Sequence, residues 1–313
     1  MEYGQFAVRH GCRGQATPWD SLTGVGERPQ QFAEGSPVSD DINYVTGGYD
    51  DLSPAEQEAT VAATGRWWDG QAAEYYAEHG KFLGDTELTW CVEGWRERDV
   101  ELLGPVAGRD VVEIGAGAAQ GSRYLAGQGA RVVATDISAG MLAQARALNE
   151  RHGVEFPLVV ADARALPLAD ESADVCFTAY GAIPFVPDPE RIHAEVARVL
   201  RPGGRWVFST SHPVRWMFPD TDSEAGLTIS RSYFDTRPYV ERQGEQVVYA
   251  EHHRPVSAHV ADVLAAGLQI TGMWEPTWRA GRSTWGGWGP RRGELMPGTL
   301  IIAARKPTGA AGE

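Results

Sequence analysis

Residues 111–121 read VVEIGAGAAQG, and this stretch decides the fold of the 313-residue chain. Its apolar start fits a buried parallel strand, its glycines fit a tight turn, and residues 122–127 fit the opening of a helix whose amide groups face a ligand. An acidic stop follows where residues 134–138 read ATDIS. Together the two stretches predict a site for a nucleotide-type cofactor.

Strand-like and helix-like segments alternate from Arg109 onward. The pattern predicts strands near 110–114, 131–135, 155–161, 173–179 and 204–211, with helices near 119–128, 139–151 and 188–201. A later helix at 256–266 and strands at 267–274 and 298–305 complete the series. This alternation specifies an α/β fold, a Rossmann-like doubly wound sheet covered by helices on both faces.

Other segments surround this main domain. Residues 1–50 show no periodicity and predict a disordered leader. Ser53, Pro54 and Glu56 form a helix-start signal, after which the pattern favours helices near 54–64, 67–79 and 93–103. The predicted organisation is a leader at 1–50, a helical cap at 51–108, a main domain at 109–306 with an inserted flap at 213–250, and a disordered tail at 307–313.

Composition excludes several classes of function. A formal net charge of -14 opposes binding to nucleic acid or to anionic membranes, because the long-range field repels polyanions. The three cysteines contain no C-x-x-C pair, which argues against a disulfide framework and a structural zinc site. No segment matches a signal peptide or a membrane span. We therefore expect a cytoplasmic protein without nucleic-acid or membrane partners.

Two cofactors compete for the glycine loop, a dinucleotide such as NAD and S-adenosylmethionine. The dinucleotide pattern G-x-G-x-x-G requires glycine where this chain has Gln120, and the third glycine, Gly121, comes one residue late. The carboxylate of Glu113 would repel a pyrophosphate, whereas it suits a cofactor that carries a cationic amino group. The loop therefore favours the sulfonium cofactor.

Two further acids fit the same cofactor. Asp136 follows Gly115 by about 20 residues, the spacing of an acid that accepts hydrogen bonds from ribose hydroxyls, which both cofactors carry. Asp162, beside the small Ala163, ends the third predicted strand and suits the exocyclic amine of adenine.

At this point the chain resembles the class I S-adenosylmethionine-dependent methyltransferases, particularly the small-molecule branch that includes quinone-biosynthesis enzymes. The likeness covers about residues 109–212, and its carriers are EIGAG at 113–117, Asp136 with Ile137 and Met141, Asp162 with Ala163, and LRPGGR at 200–205. It implies a seven-stranded sheet with an antiparallel last strand and S-adenosyl-L-methionine as cofactor. It also implies cofactor contacts at Glu113, Gly115, Ala116, Gly117, Gln120, Asp136, Ile137, Met141, Asp162, Ala163, Ala179 and Tyr76.

Methyl transfer requires few functional groups from the protein. Methyl transfer needs nucleophile, methyl carbon and sulfur in line, and a base only where the acceptor must lose a proton. The loop TAYGAIPF at 178–185 lacks the Asn/Asp-Pro-Pro-Tyr signature of enzymes that methylate adenine or glutamine. Candidate catalytic residues are Tyr180 in this loop, His212 at the end of the fifth strand, and His253, whose neighbour His252 would point the other way. No metal site is predicted.

Aromatic residues outside the sheet have two readings. Trp67, Trp68 and Tyr75 either close the cofactor site as a lid or form the core of the helical cap, and Trp285 and Trp288 either line an acceptor or anchor a loop. The primary hypothesis is an S-adenosylmethionine-dependent methyltransferase, monomeric or homodimeric, acting on a small molecule. The alternatives are an NAD-dependent oxidoreductase and a non-catalytic cofactor-binding regulatory protein.

Overall fold

The computed structural model describes residues 45–308. Its helices are α1 (Pro54–Leu83), α2 (Glu97–Val100), α3 (Gln120–Gly127), α4 (Ala139–His152), α5 (Pro189–Val199), α6 (Val256–Ala265) and α7 (Pro290–Gly293). Its strands are β1 (Val45–Tyr49), β2 (Asp110–Ile114), β3 (Arg131–Asp136), β4 (Leu158–Val160), β5 (Ala173–Ala179), β6 (Leu200–Ser211), β7 (Tyr239–Gln243), β8 (Gln246–Glu251), β9 (Gln269–Trp274) and β10 (Thr299–Arg305). Residues 1–44 of the leader predicted at 1–50 and residues 309–313 of the tail predicted at 307–313 lie outside the described residues.

The main sheet has seven strands in the order β4-β3-β2-β5-β6-β10-β9. The last strand in sequence, β10, runs antiparallel to both of its neighbours, pairing Ile302 with Phe208 on one side and with Met273 on the other. The first five strands of the sheet are parallel. The predicted seven-stranded, doubly wound sheet with an antiparallel last strand is therefore confirmed.

Both faces of this sheet are buried. On β5, Val175 and Phe177 join a cluster that includes Leu125 of α3, whereas the intervening Cys176 joins a second cluster with Val196 of α5. Successive side chains of a strand point to opposite faces, so one apolar strand supplies both clusters. The carboxyl ends of the parallel strands are thereby held at one edge, where the loops after β2, β3, β4 and β5 converge.

The helical cap differs from its prediction. In place of two helices separated near Gly65, α1 runs without a break for 30 residues, from a capping box between Ser53 and Glu56 to Gly84. A glycine inside a helix costs about 1 kcal/mol relative to alanine. Here Gly65 is buried, and its Cα faces Ile137 closely enough for an added Cβ to lie 3.5 Å from that side chain. Tertiary packing therefore overrides the local break signal.

The helix predicted at 93–103 is also corrected, because only Glu97–Val100 is helical. The buried carboxylate of Glu97 accepts hydrogen bonds from the Trp90 indole at 2.8 Å and from the backbone amides of Leu102 and Leu103 at 3.0 and 2.8 Å. Side-chain bonds of this kind offer the backbone an alternative to helical pairing. Apart from α2, the segment is consequently a loop that is held by hydrogen bonds to the Glu97 carboxylate.

A second, smaller sheet replaces the irregular flap predicted at 213–250. Strands β7 and β8 form an antiparallel hairpin, and β1 adds to its edge by pairing with β7. The strand β1 also corrects the leader, whose predicted range ran to residue 50. The hairpin packs on α1, where the amide of Ala250 donates to the hydroxyl of Thr64 at 3.1 Å. We call β1, β7 and β8 the cap sheet.

Candidate cofactor and acceptor site

Two loops meet at the centre of the sheet edge. Gly115 and Gly117 adopt the left-handed backbone conformation, with φ of +64° and +54°. A Cβ on Gly115 would lie 2.7 Å from the amide nitrogen of Ala182, and one on Gly181 would lie 2.3 Å from the carbonyl of Gly115. Only glycine fits positions that need both a positive φ and such close backbone approach. The glycine loop after β2 is thus pressed against the loop after β5.

Glu113 lies beneath the glycine loop and is 5% exposed. Its Oε2 accepts hydrogen bonds from the backbone amide and the hydroxyl of Ser122, at 2.8 and 2.5 Å. Burial raises the pKa of this carboxyl to about 7, although the bonds from Ser122 act in the opposite direction. A Cβ on Gly121 would lie 2.7 Å from Oε1, so the carboxylate occupies the space that the third glycine leaves. Glu113 therefore shapes the loop and the start of α3, whose first residue is the half-buried Gln120.

Asp136 joins the glycine loop to the next one. Its Oδ2 accepts from the Gly117 amide at 2.7 Å, and its Oδ1 accepts from the Ser138 amide at 2.8 Å. Burial raises the pKa of this carboxyl, although the same two amides act against the shift. Each oxygen keeps a second acceptor position for a hydroxyl. The half-buried Ile137 and the buried Met141 flank this acid, and a Cβ on Gly117 would lie 3.1 Å from the Met141 methyl group.

Asp162 has protein partners that the sequence did not indicate. Arg164, whose side chain is 5% exposed, donates to Asp162 Oδ2 at 2.8 Å, to both oxygens of Glu58 on α1, and to Asp188 Oδ1 at 3.0 Å. Burial raises the pKa of Asp162, but the bonds from Arg164 outweigh it and the net shift is downward. Asp162 therefore stays ionised and hydrogen-bonded to Arg164, and the half-buried Ala163 lies beside it.

The helix α1 crosses above these loops. Asp69 accepts hydrogen bonds at Oδ1 from the Ser138 hydroxyl at 2.7 Å and from the Gly140 amide at 2.9 Å. Together with the Glu58–Arg164 pair, this contact fixes α1 over the loops after β3 and β4. The N-terminal half of α1 therefore lies across the edge of the sheet at which these loops converge.

The prediction for Tyr76 is corrected by the structure. Its hydroxyl donates to Asp85 at 2.5 Å and accepts from Arg151 at 3.3 Å. Arg151 belongs to the last turn of α4, and a helix of this length places its ends about 20 Å apart. The N-terminal end of α4 adjoins Asp136. The Tyr76 hydroxyl is therefore held by Asp85 and by the C-terminal end of α4 rather than by the loops after β2, β3 and β4.

Tyr180 follows directly after β5, whose last residue, the half-buried Ala179, pairs with Ser209. Its φ of +60° is an uncommon conformation for a bulky residue. The Tyr180 amide donates to the carbonyl of Ser209 at 3.1 Å, and its hydroxyl forms a short hydrogen bond with the hydroxyl of Thr299 on β10. Backbone strain of this kind concentrates at functional sites.

Both ring nitrogens of His212 have protein partners. Nδ1 accepts from the Val214 amide at 3.1 Å, so the proton lies on Nε2, which is 2.9 Å from Glu275 Oε1. Burial lowers the pKa of His212, and Glu275 opposes that shift. This arrangement fixes the ring and leaves no ring nitrogen available to take a proton without breaking a bond.

His253 is buried, and its Nε2 donates to the carbonyl of Tyr233 at 2.7 Å. Its neighbour His252 lies 3.1 Å from the hydroxyl of Thr60 on α1, so the two rings do point to different partners. Among the described residues, no group of three or more His, Cys, Asp or Glu side chains is arranged to hold a metal ion. In residues 45–308 no helix combines the length and apolar character needed to cross a bilayer.

Aromatic rings form a continuous wall between α1 and the loops. Trp68 packs edge-on against Phe185 in the turn that follows Tyr180, with ring centroids 5.9 Å apart, and Trp67 lies 4.8 Å from Tyr249 of the cap sheet. Tyr75 extends the wall to Trp285. The second loop tryptophan, Trp288, instead stacks on the buried Arg292, 4.4 Å from ring centroid to guanidinium.

Comparison with known proteins assigns the family. Residues 112–208 match the family model described as a methyltransferase domain. A demethylmenaquinone methyltransferase of Corynebacterium kroppenstedtii is 32% identical over 200 residues, which cover 63% of this chain and 82% of that protein. The chain belongs to the class I S-adenosylmethionine-dependent methyltransferases. An S-adenosylmethionine-dependent methyltransferase from Mesorhizobium loti has a similar structure, with a TM-score of 0.54 and 28% identity over 69% of this chain and 100% of that one.

The matches to members of this family differ in how much of each relative they cover. The matched part of the chain spans about half the length of some curated relatives, such as the 48% covered of a Renibacterium salmoninarum demethylmenaquinone methyltransferase, which is 37% identical over 120 residues. The family assignment favours the sulfonium cofactor over NAD at the glycine loop. The family model covers the region from β2 to β6, whereas the cap sheet and the loop around Trp285 lie outside residues 112–208.

Proposed function

We propose that this chain binds S-adenosylmethionine over the loops after β2, β3 and β4 and transfers its methyl group to a small-molecule acceptor. The observation that carries the proposal is the hydrogen bond from the Gly117 amide to Asp136, because it unites the glycine turn and the acidic end of β3 in one cradle. The cradle fits the cofactor, because its glycines let the loops after β2 and β5 approach each other closely and Asp136 retains acceptor positions for ribose hydroxyls.

The residues present account for positioning rather than for acid–base chemistry. When bound, S-adenosylmethionine supplies an electrophilic methyl group on a sulfonium sulfur. The loop from Tyr180 to Phe185 lies where an acceptor would approach, and α1 closes the site against water. We propose Tyr180 as a residue that contacts the acceptor. For His212 and His253 the hydrogen bonds described above support a role in holding the loops after β6 and β8.

We propose a hydroxylated aromatic ring as the acceptor, such as the reduced form of the demethylmenaquinone named for the relatives. The aromatic wall of Trp67, Trp68, Phe185 and Tyr249 supports a planar apolar ligand. A reduced ring is electron-rich and therefore nucleophilic toward a sulfonium methyl group, whereas an oxidised quinone is electrophilic. We also propose that the protein works in the cytoplasm as a monomer or homodimer without nucleic-acid or membrane partners, and its net charge of -14 opposes electrostatic binding to nucleic acid and to anionic membranes.

Calorimetric titration with S-adenosylhomocysteine tests the cofactor. We expect wild-type protein to bind and Asp136→Asn to bind about tenfold or more weakly, since an amide can accept from only one of the two backbone donors. Asp170→Asn is the matched control, because the Asp170 side chain is 75% exposed and pairs only at the surface. Folded wild-type protein that takes up no S-adenosylhomocysteine would contradict the proposed function.

Mass spectrometry of the acceptor tests the second half. The protein is incubated with S-adenosylmethionine and a 2-prenyl-1,4-naphthohydroquinone that lacks the ring methyl group, and the product should gain one methyl group. The oxidised quinone is the control and should remain unchanged. Cofactor binding without transfer to the reduced ring would overturn the acceptor class.

A further inference from the structure

A buried chain of side chains connects Glu93 to Tyr180. Glu93 is fully buried in the loop between α1 and α2. Its Oε1 accepts from the Gly298 amide at 2.7 Å, and its Oε2 accepts from the hydroxyl of Thr299, also at 2.7 Å. The same Thr299 hydroxyl forms the short hydrogen bond with Tyr180. Residues from three distant parts of the sequence thus meet beside the loop after β5.

The direction of each bond in this chain follows from the donors available. A carboxylate can only accept, so the single proton of the Thr299 hydroxyl points to Glu93. The Thr299 oxygen then has no proton to offer Tyr180 and must accept one from it. The Tyr180 hydroxyl is therefore a donor toward Thr299, and its own oxygen is left as an acceptor.

The surroundings of Tyr180 limit what this oxygen can do. Burial raises the pKa of Tyr180 well above that of an ordinary phenol, so the hydroxyl keeps its proton at neutral pH. The Val92 backbone amide opposes this rise in the pKa, and a phenol oxygen accepts up to two hydrogen bonds. One acceptor position remains. Donation to a hydrogen-bond chain also makes the oxygen a stronger acceptor.

We propose that Glu93, acting through Thr299, is a positioning residue that presents the Tyr180 oxygen as a hydrogen-bond acceptor for the hydroxyl of the methyl acceptor. This inference rests on the proposed function. It adds a hydrogen-bond acceptor that selects among possible methyl acceptors. Ring hydroxyls and amines would be held, because they can donate to Tyr180, whereas a ring bearing only carbonyl groups would not.

Glu93→Gln reverses the polarity of the chain. The glutamine carbonyl can still accept from Gly298, but its amide then donates to Thr299, whose proton turns toward Tyr180. The Tyr180 hydroxyl would then point its proton at the acceptor rather than its lone pair. Thr299→Val breaks the chain without a change of shape, and Thr299→Ser preserves it. The two Thr299 variants still test the hydrogen-bond chain if the Glu93 variant folds poorly.

The first readout needs no acceptor. In protein labelled with 13C at the tyrosine Cζ, the Tyr180 resonance is assigned by its loss in Tyr180→Phe. We expect it to move in Glu93→Gln and Thr299→Val and to stay near the wild-type position in Thr299→Ser. An unmoved resonance in both Glu93→Gln and Thr299→Val would overturn the hydrogen-bond chain, whether or not the protein binds S-adenosylhomocysteine.

The second readout uses the transfer assay with the naphthohydroquinone. Glu93→Gln and Tyr180→Phe should each lower kcat about tenfold and leave the calorimetric affinity for S-adenosylhomocysteine unchanged, since one neutral hydrogen bond is at stake. Thr299→Ser should recover most of what Thr299→Val loses. In the Tyr180→Phe background, Glu93→Gln should have no further effect. Additive losses would overturn the inference, whereas absence of cofactor binding in the wild type would be the failure of the proposed function.

Discussion

Glu113 and Gly121 share one small volume beneath the glycine loop. The carboxylate sits where the side chain of residue 121 would lie, and it holds the first turn of α3 through Ser122. The sequence rule that places an acid two residues before the first glycine therefore has a structural basis beyond ligand charge. The acid fixes the loop from below, and the third glycine is displaced by one residue to make room for it.

Replacement of Glu113 by glutamine should change how stability depends on pH. The pKa of this carboxyl is about 7 in the folded protein and ~4.3 in an unfolded chain. Between these values the folded state binds more protons, so wild-type stability falls as pH rises. Relative to wild type, Glu113→Gln should therefore gain on the order of 2 kcal/mol between about pH 5 and about pH 8.

Urea unfolding of both proteins at the two pH values measures this difference. Glu74→Gln, at an exposed position on α1, is the matched control for loss of a carboxyl. Stability curves that run parallel for Glu113→Gln and wild type would contradict the prediction.

Candidate residues divide according to the kind of signal that pointed to them. Those read from spacing along the strands, such as Asp136 and Gly117, lie together as expected. His212, predicted from its place at a strand end, and Tyr76, implied by the family resemblance, have partners that the sequence did not indicate. Glu93 and Arg164 gave no signal, because their partners lie up to 206 positions away in the chain.

At the scale of elements, α1 determines how the site is closed. The helix meets α4 where the backbone of Asp69 approaches Gly140, and a Cβ on Gly140 would lie 2.6 Å from the Asp69 carbonyl. The same turn carries the bonds from Asp69 to Ser138 and Gly140. A glycine at the start of α4 is therefore a requirement of the contact between two helices rather than of either helix alone.

Two glycine-to-alanine variants separate packing from propensity. Gly140→Ala should destabilise the protein by about 1–3 kcal/mol, because the added methyl group meets backbone that cannot move aside easily. Gly70→Ala, one residue from Asp69 on α1, meets no atom within 4 Å and should stabilise by about 0.5–1 kcal/mol. Thermal unfolding measures both. Equal shifts in the same direction would show that the α1–α4 contact does not depend on Gly140.

The cap sheet shows why element prediction failed between residues 213 and 250. The hairpin of β7 and β8 is short, its edge is completed by β1 from almost 200 residues earlier, and its register shifts at Glu241. Burial does not alternate along either strand, because most residues of β7 and β8 are half-buried, so no two-residue apolar period marks them. By contrast, the central strands β2, β5 and β10 of the main sheet were recognisable because burial on both faces makes each a nearly continuous apolar run.

On the scale of the whole molecule, cofactor binding should protect the cap. Because α1 contacts the loops after β3 and β4 through Asp69 and Glu58, a ligand that orders those loops should also slow hydrogen exchange in α1. Exchange measured by mass spectrometry with and without S-adenosylhomocysteine should show slower uptake in peptides from residues 54–69. Peptides from α6, at 256–265, are the internal control. Unchanged hydrogen exchange in α1 under saturating ligand would show that ligand binding does not stabilise the cap.

The sequence by itself determined the main sheet, the cofactor-type loops and the family. These features are local: a buried strand, a glycine turn and an acid at a strand end are each specified by a few neighbouring residues, and their order along the chain specifies the topology. Only the tertiary structure decided which acids already have partners, where α1 lies, and that Glu93 reaches Tyr180 through Thr299. Those properties depend on contacts between segments far apart in the chain, which no pattern of neighbouring residues specifies.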